Sequence, residues 1–186
     1  MPKQPAVPVA ETEIDWGGLL DQFAANAGGG QVFYLKAGKN RVRLLPPKSK
    51  NPFIAVDTTY RNRTRTKYLV GAVVPEAVDL ERNPEDVGVR AVLLTRQQIH
   101  TILTNQTEGF DLFSPEGNGL TIIKAGSGLN TTVTISVTPK PIPLTDDVLE
   151  AWKTFDLEAV AKDWVAYQKS QAENNGAGGE AEEDED

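Results

Sequence analysis

The chain contains no cysteine, one histidine and one methionine. Without cysteine there are no disulfides and no thiolate metal ligands, which fits a reducing compartment. With His100 as the sole histidine, a multi-histidine metal site is impossible and most nucleophile–base pairs lack a member. No apolar run approaches the roughly eighteen residues of a membrane span. No basic start followed by an apolar stretch reads as a secretion signal. A Gly-x-x-x-x-Gly-Lys-Ser/Thr phosphate loop is also missing, since Gly126-Ser-Gly128 is too short. Two acidic pairs, Asp146-Asp147 and Glu85-Asp86, are where a nuclease would hold Mg²⁺. First-turn helix acids explain the former more simply, and a proline-containing loop explains the latter. These absences predict a cytoplasmic, non-enzymatic protein with no metal, no cofactor and no membrane partner.

What is present is a division of charge. The formal net charge is −7 over 186 residues. Residues 172–186 carry seven acids and no base, so residues 1–171 hold nineteen of each sign and are neutral. Within that neutral body, Lys36 to Lys67 contains ten Lys/Arg against one acid, Asp57. The far end is the reverse: Glu180, Glu182, Glu183, Asp184, Glu185 and Asp186 make six acids in the last seven residues.

Periodicity and breakers divide the chain into a flexible arm (1–13), a folded domain (14–171) and a disordered acidic tail (172–186). Trp16, Leu19, Leu20 and Phe23 have helical spacing behind Asp15 and stop at Ala27-Gly-Gly-Gly30. Strands are expected at 31–36, 40–45, 53–60, 66–74 and 89–94, then a helix over 95–106 carrying Ile99, Ile102 and Leu103. Leu120–Lys124 and Thr132–Thr138 form a hairpin in which Val133, Ile135 and Val137 alternate with Thr/Ser. Gly126 and Gly128 supply the positive φ its turn needs, and Pro139, Pro141 and Pro143 end the sheet. Two amphipathic helices follow, capped by Thr145 and Asp156 and carrying Val148, Leu149, Trp152 and Phe155, then Leu157, Val160, Ala161 and Trp164. The fold class is therefore mainly β with flanking helices: a five-stranded Greek-key barrel of the OB (oligonucleotide-binding) kind, plus an extra hairpin and C-terminal helices.

Two stretches hold the basic band. In Lys39-Asn-Arg-Val-Arg-Leu-Leu45, strand alternation places Lys39, Arg41 and Arg43 on one face and Val42 and Leu44 on the other. In Tyr60-Arg-Asn-Arg-Thr-Arg-Thr-Lys-Tyr68, Arg61, Arg63, Arg65 and Lys67 recur at every second residue. As a strand this row spans roughly 20 Å, at about 3.3 Å per residue. A strand that needs only solubility mixes signs, whereas this one has no acid after Asp57. Lys48 and Lys50 extend the band, and Phe53, Tyr60 and Tyr68 interleave aromatic rings with it. Cations for phosphates and π-faces for bases are what a single strand requires. No helix is basic enough to enter a duplex major groove, so single strands are preferred as the ligand.

Here the chain resembles a known family. The segment Gly38-Lys-Asn-Arg-Val-Arg-Leu-Leu-Pro-Pro47 is similar to the early strand of single-stranded DNA-binding proteins of tailed bacteriophages. Gly119-Leu-Thr-Ile-Ile-Lys-Ala-Gly-Ser-Gly-Leu-Asn-Thr131 resembles that family's late hairpin. Pro139–Leu144 resembles its proline-rich exit, and Glu180–Asp186 its acidic terminus. The likeness spans roughly residues 31–145 plus the tail. It implies an OB fold that coats single-stranded DNA during replication, recombination and repair in the cytoplasm of an infected bacterium. It further implies groove cations at Arg41, Arg43, Arg61, Arg63, Arg65, Lys67 and Lys124. The tail would compete for the groove and recruit replication proteins such as a polymerase, helicase or primase. Some members hold a zinc site between the early strands and the central helix. This chain has no cysteine for one, so Val73–Val87 is expected to be held by packing. Two other readings stay open at this stage. One is a protein-interaction module whose acidic tail mimics nucleic acid, and the other a Mg²⁺-dependent nuclease. RNA remains an alternative ligand, because stacking and phosphate contacts do not read the 2′-hydroxyl.

Overall fold

The computed structural model describes residues 30–60 and 63–176. The proline-rich arm, the helix expected at Trp16–Phe23, Arg61 and the acids of 180–186 lie outside the described residues. Within them the chain is mixed α/β, with seven strands and three α-helices. In order these are β1 (Val32–Phe33), β2 (Gly38–Leu44), β3 (Ile54–Tyr60), β4 (Arg63–Val73) and β5 (Val89–Leu94). There follow α1 (Arg96–Thr107), β6 (Asn118–Ala125), β7 (Thr132–Pro141), α2 (Asp146–Thr154) and α3 (Leu157–Gly176). The pairings describe an open seven-stranded sheet, ordered β1-β5-β4-β2-β6-β7 with β3 paired to β4 off that path, rather than a closed five-stranded ring. Among the described residues only the short β1–β5 pair is parallel.

Strand alternation sorts the core into two sides. Val42 and Leu44 of β2, Val70 and Ala72 of β4, Val92 and Leu94 of β5, and Leu120 and Ile122 of β6 share one cluster. Ile99 and Ile102 of α1 complete it, with Val133, Ile135 and Val137 of β7 packed against its edge. Because strands from both ends of the sheet meet in this cluster, the sheet must curl around it. Leu103 takes no part and is 43% exposed, although it shares the helical spacing of Ile99 and Ile102. On the other side, Val160, Ala161 and Trp164 of α3 cover Val56, Leu69, Ala91 and Leu93. Next to them, Val148 and Trp152 of α2 cover Leu45 and Val89. The outer edge of the Trp152 indole comes so close to β4 at Gly71 that a side chain there would collide with it. Its Nε1–H donates to the Pro46 carbonyl at 2.9 Å, so burying the ring leaves no polar atom unpaired.

Local chemistry sets the helix boundaries. Thr95 and Gln98 form a reciprocal capping box at α1. Asp156 caps α3, accepting from the Ala159 N–H at 2.9 Å. Thr145 holds the N-cap position of α2, but its side chain makes no cap bond; Asp146 and Asp147 in the first turn favour that helix end instead. The α3 helix continues to Gly176, beyond the tail boundary at 172, because Gln171, Ala172 and Glu173 are good helix formers. Strand β7 likewise runs through Pro139 to Pro141, past the expected stop. As an edge strand it tolerates the missing N–H, and the irregularity between Asn118 and Leu120 absorbs the register change.

The segment between β4 and β5 is held by packing, with Val74 and Ala77 on the inner cluster and Val87 beside α2, and by polar contacts as well. Asp86 accepts from Arg90 at 2.5 Å, from the Asp79 N–H at 2.8 Å and from the Gly88 N–H at 2.9 Å. Arg90 in turn donates to the Ala77 carbonyl at 2.7 Å. Burial acts to raise the Asp86 pKa, but the Arg90 bond and the two backbone donors outweigh it and bring it down to about 2.

Two outcomes follow for stability. Because the folded-state pKa of Asp86 is depressed from 3.8 to about 2, its contribution is complete above the ordinary carboxylate range and is lost as pH falls from about 4 toward 2. Asp86→Asn should cost on the order of 2 kcal/mol at pH 7 and flatten that acid limb in denaturant titrations. Gly71→Ala should lower stability by roughly 1–3 kcal/mol through overpacking against Trp152, read as a fall in thermal midpoint with the indole fluorescence shifted.

Candidate nucleic-acid interface

The basic row lies on a part of β4 that has left the main sheet. Tyr68–Val73 pair with β5, and Arg43 and Leu44 of β2 pair with Val73 and Ala72. Arg63–Lys67 pair only with β3, from Val56↔Lys67 to Tyr60↔Arg63. The two strands therefore form a projecting ribbon whose bases recur at every second residue. Arg63 and Arg65 are exposed and Lys67 is half-buried at its root. The one acid of the band, Asp57, is engaged on the ribbon by the Thr66 hydroxyl at 2.8 Å.

Lys67 is where strands distant in sequence bring cations together. Its pKa is lowered first by burial and then by repulsion from Lys124 of β6 and Arg65. Lys124 reaches in from the other side of the curl, its ammonium donating to the Leu35 carbonyl at 3.2 Å. No acid is among the groups that shift Lys67. Among the described residues the field at Lys67 is therefore set by two like charges and not by a carboxylate.

A residue that strand reading passed over shapes this corner. Asn40 is 2% exposed, and its amide accepts from the Lys36 N–H at 2.9 Å and donates to the carbonyls of Lys36, Gly38 and Ile122. It thus pins the turn entering β2 to β6, two residues from Lys124. Its position in the inward register of Val42 and Leu44 was the available signal.

The remaining sites are placed as follows. Lys39 and Lys50 are exposed. Arg41 is exposed but bonds Glu76 at 2.7 Å; burial works against that carboxylate's charge, and the Arg41 bond overrides it to lower the pKa. Lys48 donates to the carbonyls of Lys153 (3.2 Å) and Phe155 (2.7 Å) and stands 4.3 Å from the Trp152 ring centroid. It closes the C-terminus of α2 rather than extending the band. Beside it, a cleft of about 390 Å³ is lined by Leu45, Trp152 and Phe155 but by none of the ribbon cations. Phe53 is 8% exposed and packs edge-to-face on Phe113 at 6.1 Å, so it is a core residue. Tyr68 is half-buried against the inner cluster, on the opposite face of β4 from the bases. Tyr60 stands opposite Arg63 in register, and its side chain, like Arg61, lies outside the described residues.

Arg43 requires the largest correction. It is 4% exposed, against the expectation of a surface cation beside Arg41. Its guanidinium donates to the carbonyls of Ile142 and Leu44 at 2.8 Å, of Leu112 at 2.9 Å, and of Ser114. Burial lowers its pKa, and Asp111 and Glu116 act to raise it. The segments before β6 and after β7 fold over the outer face of β2 and enclose it. Five donors in a planar fork suit such a site, where a lysine would leave carbonyls unpaired.

No family model matches the chain, and no curated protein matches it.

The two kinds of arginine should separate experimentally. Arg43→Met leaves four carbonyls without this donor, those of Leu44 and Leu112 in buried bonds, and should cost about 3 kcal/mol or more. Arg65→Ala and Lys67→Ala should leave the thermal midpoint unchanged or slightly raised, because each relieves repulsion.

Proposed function

We propose that this chain is a sequence-independent single-stranded DNA-binding protein whose ligand follows the β3–β4 ribbon into the corner formed by Lys67 and Lys124. One observation carries the reading: the half-buried Lys67 is repelled by both Lys124 and Arg65, with no acid among its partners in the described residues. A polyanion is the ligand that relieves this, and the counter-ions it releases give its binding a steep salt dependence. Lys39 near the start of β2 and Arg63 toward the ribbon tip lengthen the track. The bases stand on extended strands rather than on a helix, which favours a flexible single strand over a duplex groove.

The architecture supports the OB reading. The strands β2, β4, β5, β6 and β7 lie in the order β5-β4-β2-β6-β7, with α1 inserted between β5 and β6. Such an order is compatible with a partly open, five-stranded Greek-key barrel. The likeness of Gly38–Pro47 and Gly119–Thr131 to phage single-stranded DNA-binding proteins points the same way. On this reading the protein coats single strands during phage DNA replication, recombination and repair in the host cytoplasm. The acidic residues of 180–186 compete for the same cations and engage replication proteins.

The test is a salt titration of oligonucleotide binding, single strand against duplex, with and without residues 177–186. Single strands should bind more tightly, with a log–log salt slope of about −0.7 per neutralised phosphate. Arg65→Ala should shrink that slope by about 0.7. The double variant Arg63→Glu/Arg65→Glu should lose binding while keeping its melting curve. Removing 177–186 should tighten binding at low salt. Equal affinity for single strand and duplex, or a tail deletion that abolishes activity without raising DNA affinity, would overturn the reading; the second result would favour an interaction module instead.

A further inference from the structure

Among the described residues the last strand of the sheet pairs with another strand along one side only, and its first seven residues are nearly palindromic. Among the described residues strand β7 pairs with β6 and with no other strand, while α1 packs near it on the core side. Beyond those ladder bonds, no backbone–backbone hydrogen bond reaches Thr132–Thr138 among the described residues. Natural sheets protect such an edge with charge, proline or a bulge. Here Ala125 through Pro139 contains no charged residue, although the chain is 24% charged. The prolines come only at Pro139 and Pro141, beyond the regular part of the strand. The edge is also incompletely covered: Val133, Ile135 and Val137 pack on the core yet stay half-exposed, and Ile123, opposite Thr134, is 44% exposed.

The first seven residues of that strand are Thr132-Val-Thr-Ile-Ser-Val-Thr138, symmetric about Ile135 except that Thr134 is answered by another hydroxyl residue, Ser136. The geometry points to a second copy of this chain as its partner, joined by antiparallel β7–β7 pairing across a two-fold axis at Ile135. A two-fold interface brings the same patch of both subunits together, so residue i meets j and j meets i. Centred on Ile135, Val133 stands opposite the second copy's Val137, Thr134 opposite Ser136, and Thr132 opposite Thr138. β-branched residues meet β-branched residues and hydroxyls meet hydroxyls, the favourable cross-strand combinations. Lys140 falls opposite Asn130, so no like charges oppose. A register slipped by one residue would set the Val/Ile side chains against the hydroxyl face. The two sheets then continue as one across the axis. This inference uses no part of the nucleic-acid reading, and either can fail without the other.

The test uses the full chain, whose lack of native cysteine makes any introduced thiol unique. Sedimentation or light scattering over a dilution series should show twice the chain mass of 20.2 kDa at high concentration. Ser136→Lys and, separately, Thr134→Lys should convert it to the single-chain mass with unchanged circular dichroism and melting, since both side chains are exposed. For register, Thr134→Cys mixed with Ser136→Cys should oxidise to a cross-linked dimer. Directly opposed Cβ atoms lie roughly 4.5–5.5 Å apart, whereas like residues would sit on the diagonal, about 7–8 Å apart. Each variant alone should therefore cross-link poorly. Four results would overturn the inference: a monomer at every concentration, a dimer indifferent to both lysine variants, equal cross-linking by either single variant, or a monomer that dimerises only when residues 1–29 are removed. The last would mean that the chain's own N-terminal segment covers the edge.

Discussion

Successive side chains of a strand point to opposite faces, and β4 obeys that rule for eleven residues through three different surroundings. Its even positions from Tyr68 onward enter the inner cluster. Its odd positions meet α3 at Leu69 and α2 at Gly71, where a side chain would collide with Trp152. Further toward the N-terminus no helix is needed, and the same odd positions carry Arg63, Arg65 and Lys67. One strand thus anchors both cores and then presents the cations. The ribbon is held in place by burial at its root, where Val56 and Leu69 lie under Val160, Ala161 and Trp164. Each such side chain contributes on the order of 1.5–3 kcal/mol when removed from water.

Arginines that look alike along the chain end in different electrostatic settings. Arg41 and Arg43 are two residues apart on one strand and share a face by alternation. Arg41 stays in water and makes a surface ion pair with Glu76, a contact worth about 1 kcal/mol or less. Arg43 is enclosed, and its charge is tolerated because carbonyl oxygens from three separate segments converge on it. With its donors occupied, it ties both connections flanking the β6–β7 hairpin to β2. Arg65 and Lys67 have the opposite problem: their field is met by Lys124 and not by an acid.

Much of the architecture was legible in the chain because it is written in short-range patterns. Breakers between apolar stretches located β3 and β5, period-two alternation β2 and the β6–β7 hairpin, glycines with positive φ at Gly126 and Gly128 marked its turn, and Asp156 announced α3. The charge segregation was equally plain, as was the division of Val160, Ala161 and Trp164 from the polar face of their helix. Less legible were the strand stops. Pro139 was expected to end β7, but an edge position does not need its N–H, and whether a strand is an edge depends on its neighbours.

What the sequence by itself determined is the set of local conformations and the presence of a cationic band. Both follow from steric and electrostatic preferences between residues a few positions apart. Which cations face water was decided by tertiary structure alone. Arg43 is buried by residues 69 to 99 positions away, and Lys48 is drawn to the end of a helix 105 positions away. Phe53 is taken into the core by Phe113, and Lys67 is given its cationic neighbour by a strand that arrives more than fifty residues later. Desolvation and Coulomb energies depend on distance in space, and the curl of the sheet sets those distances.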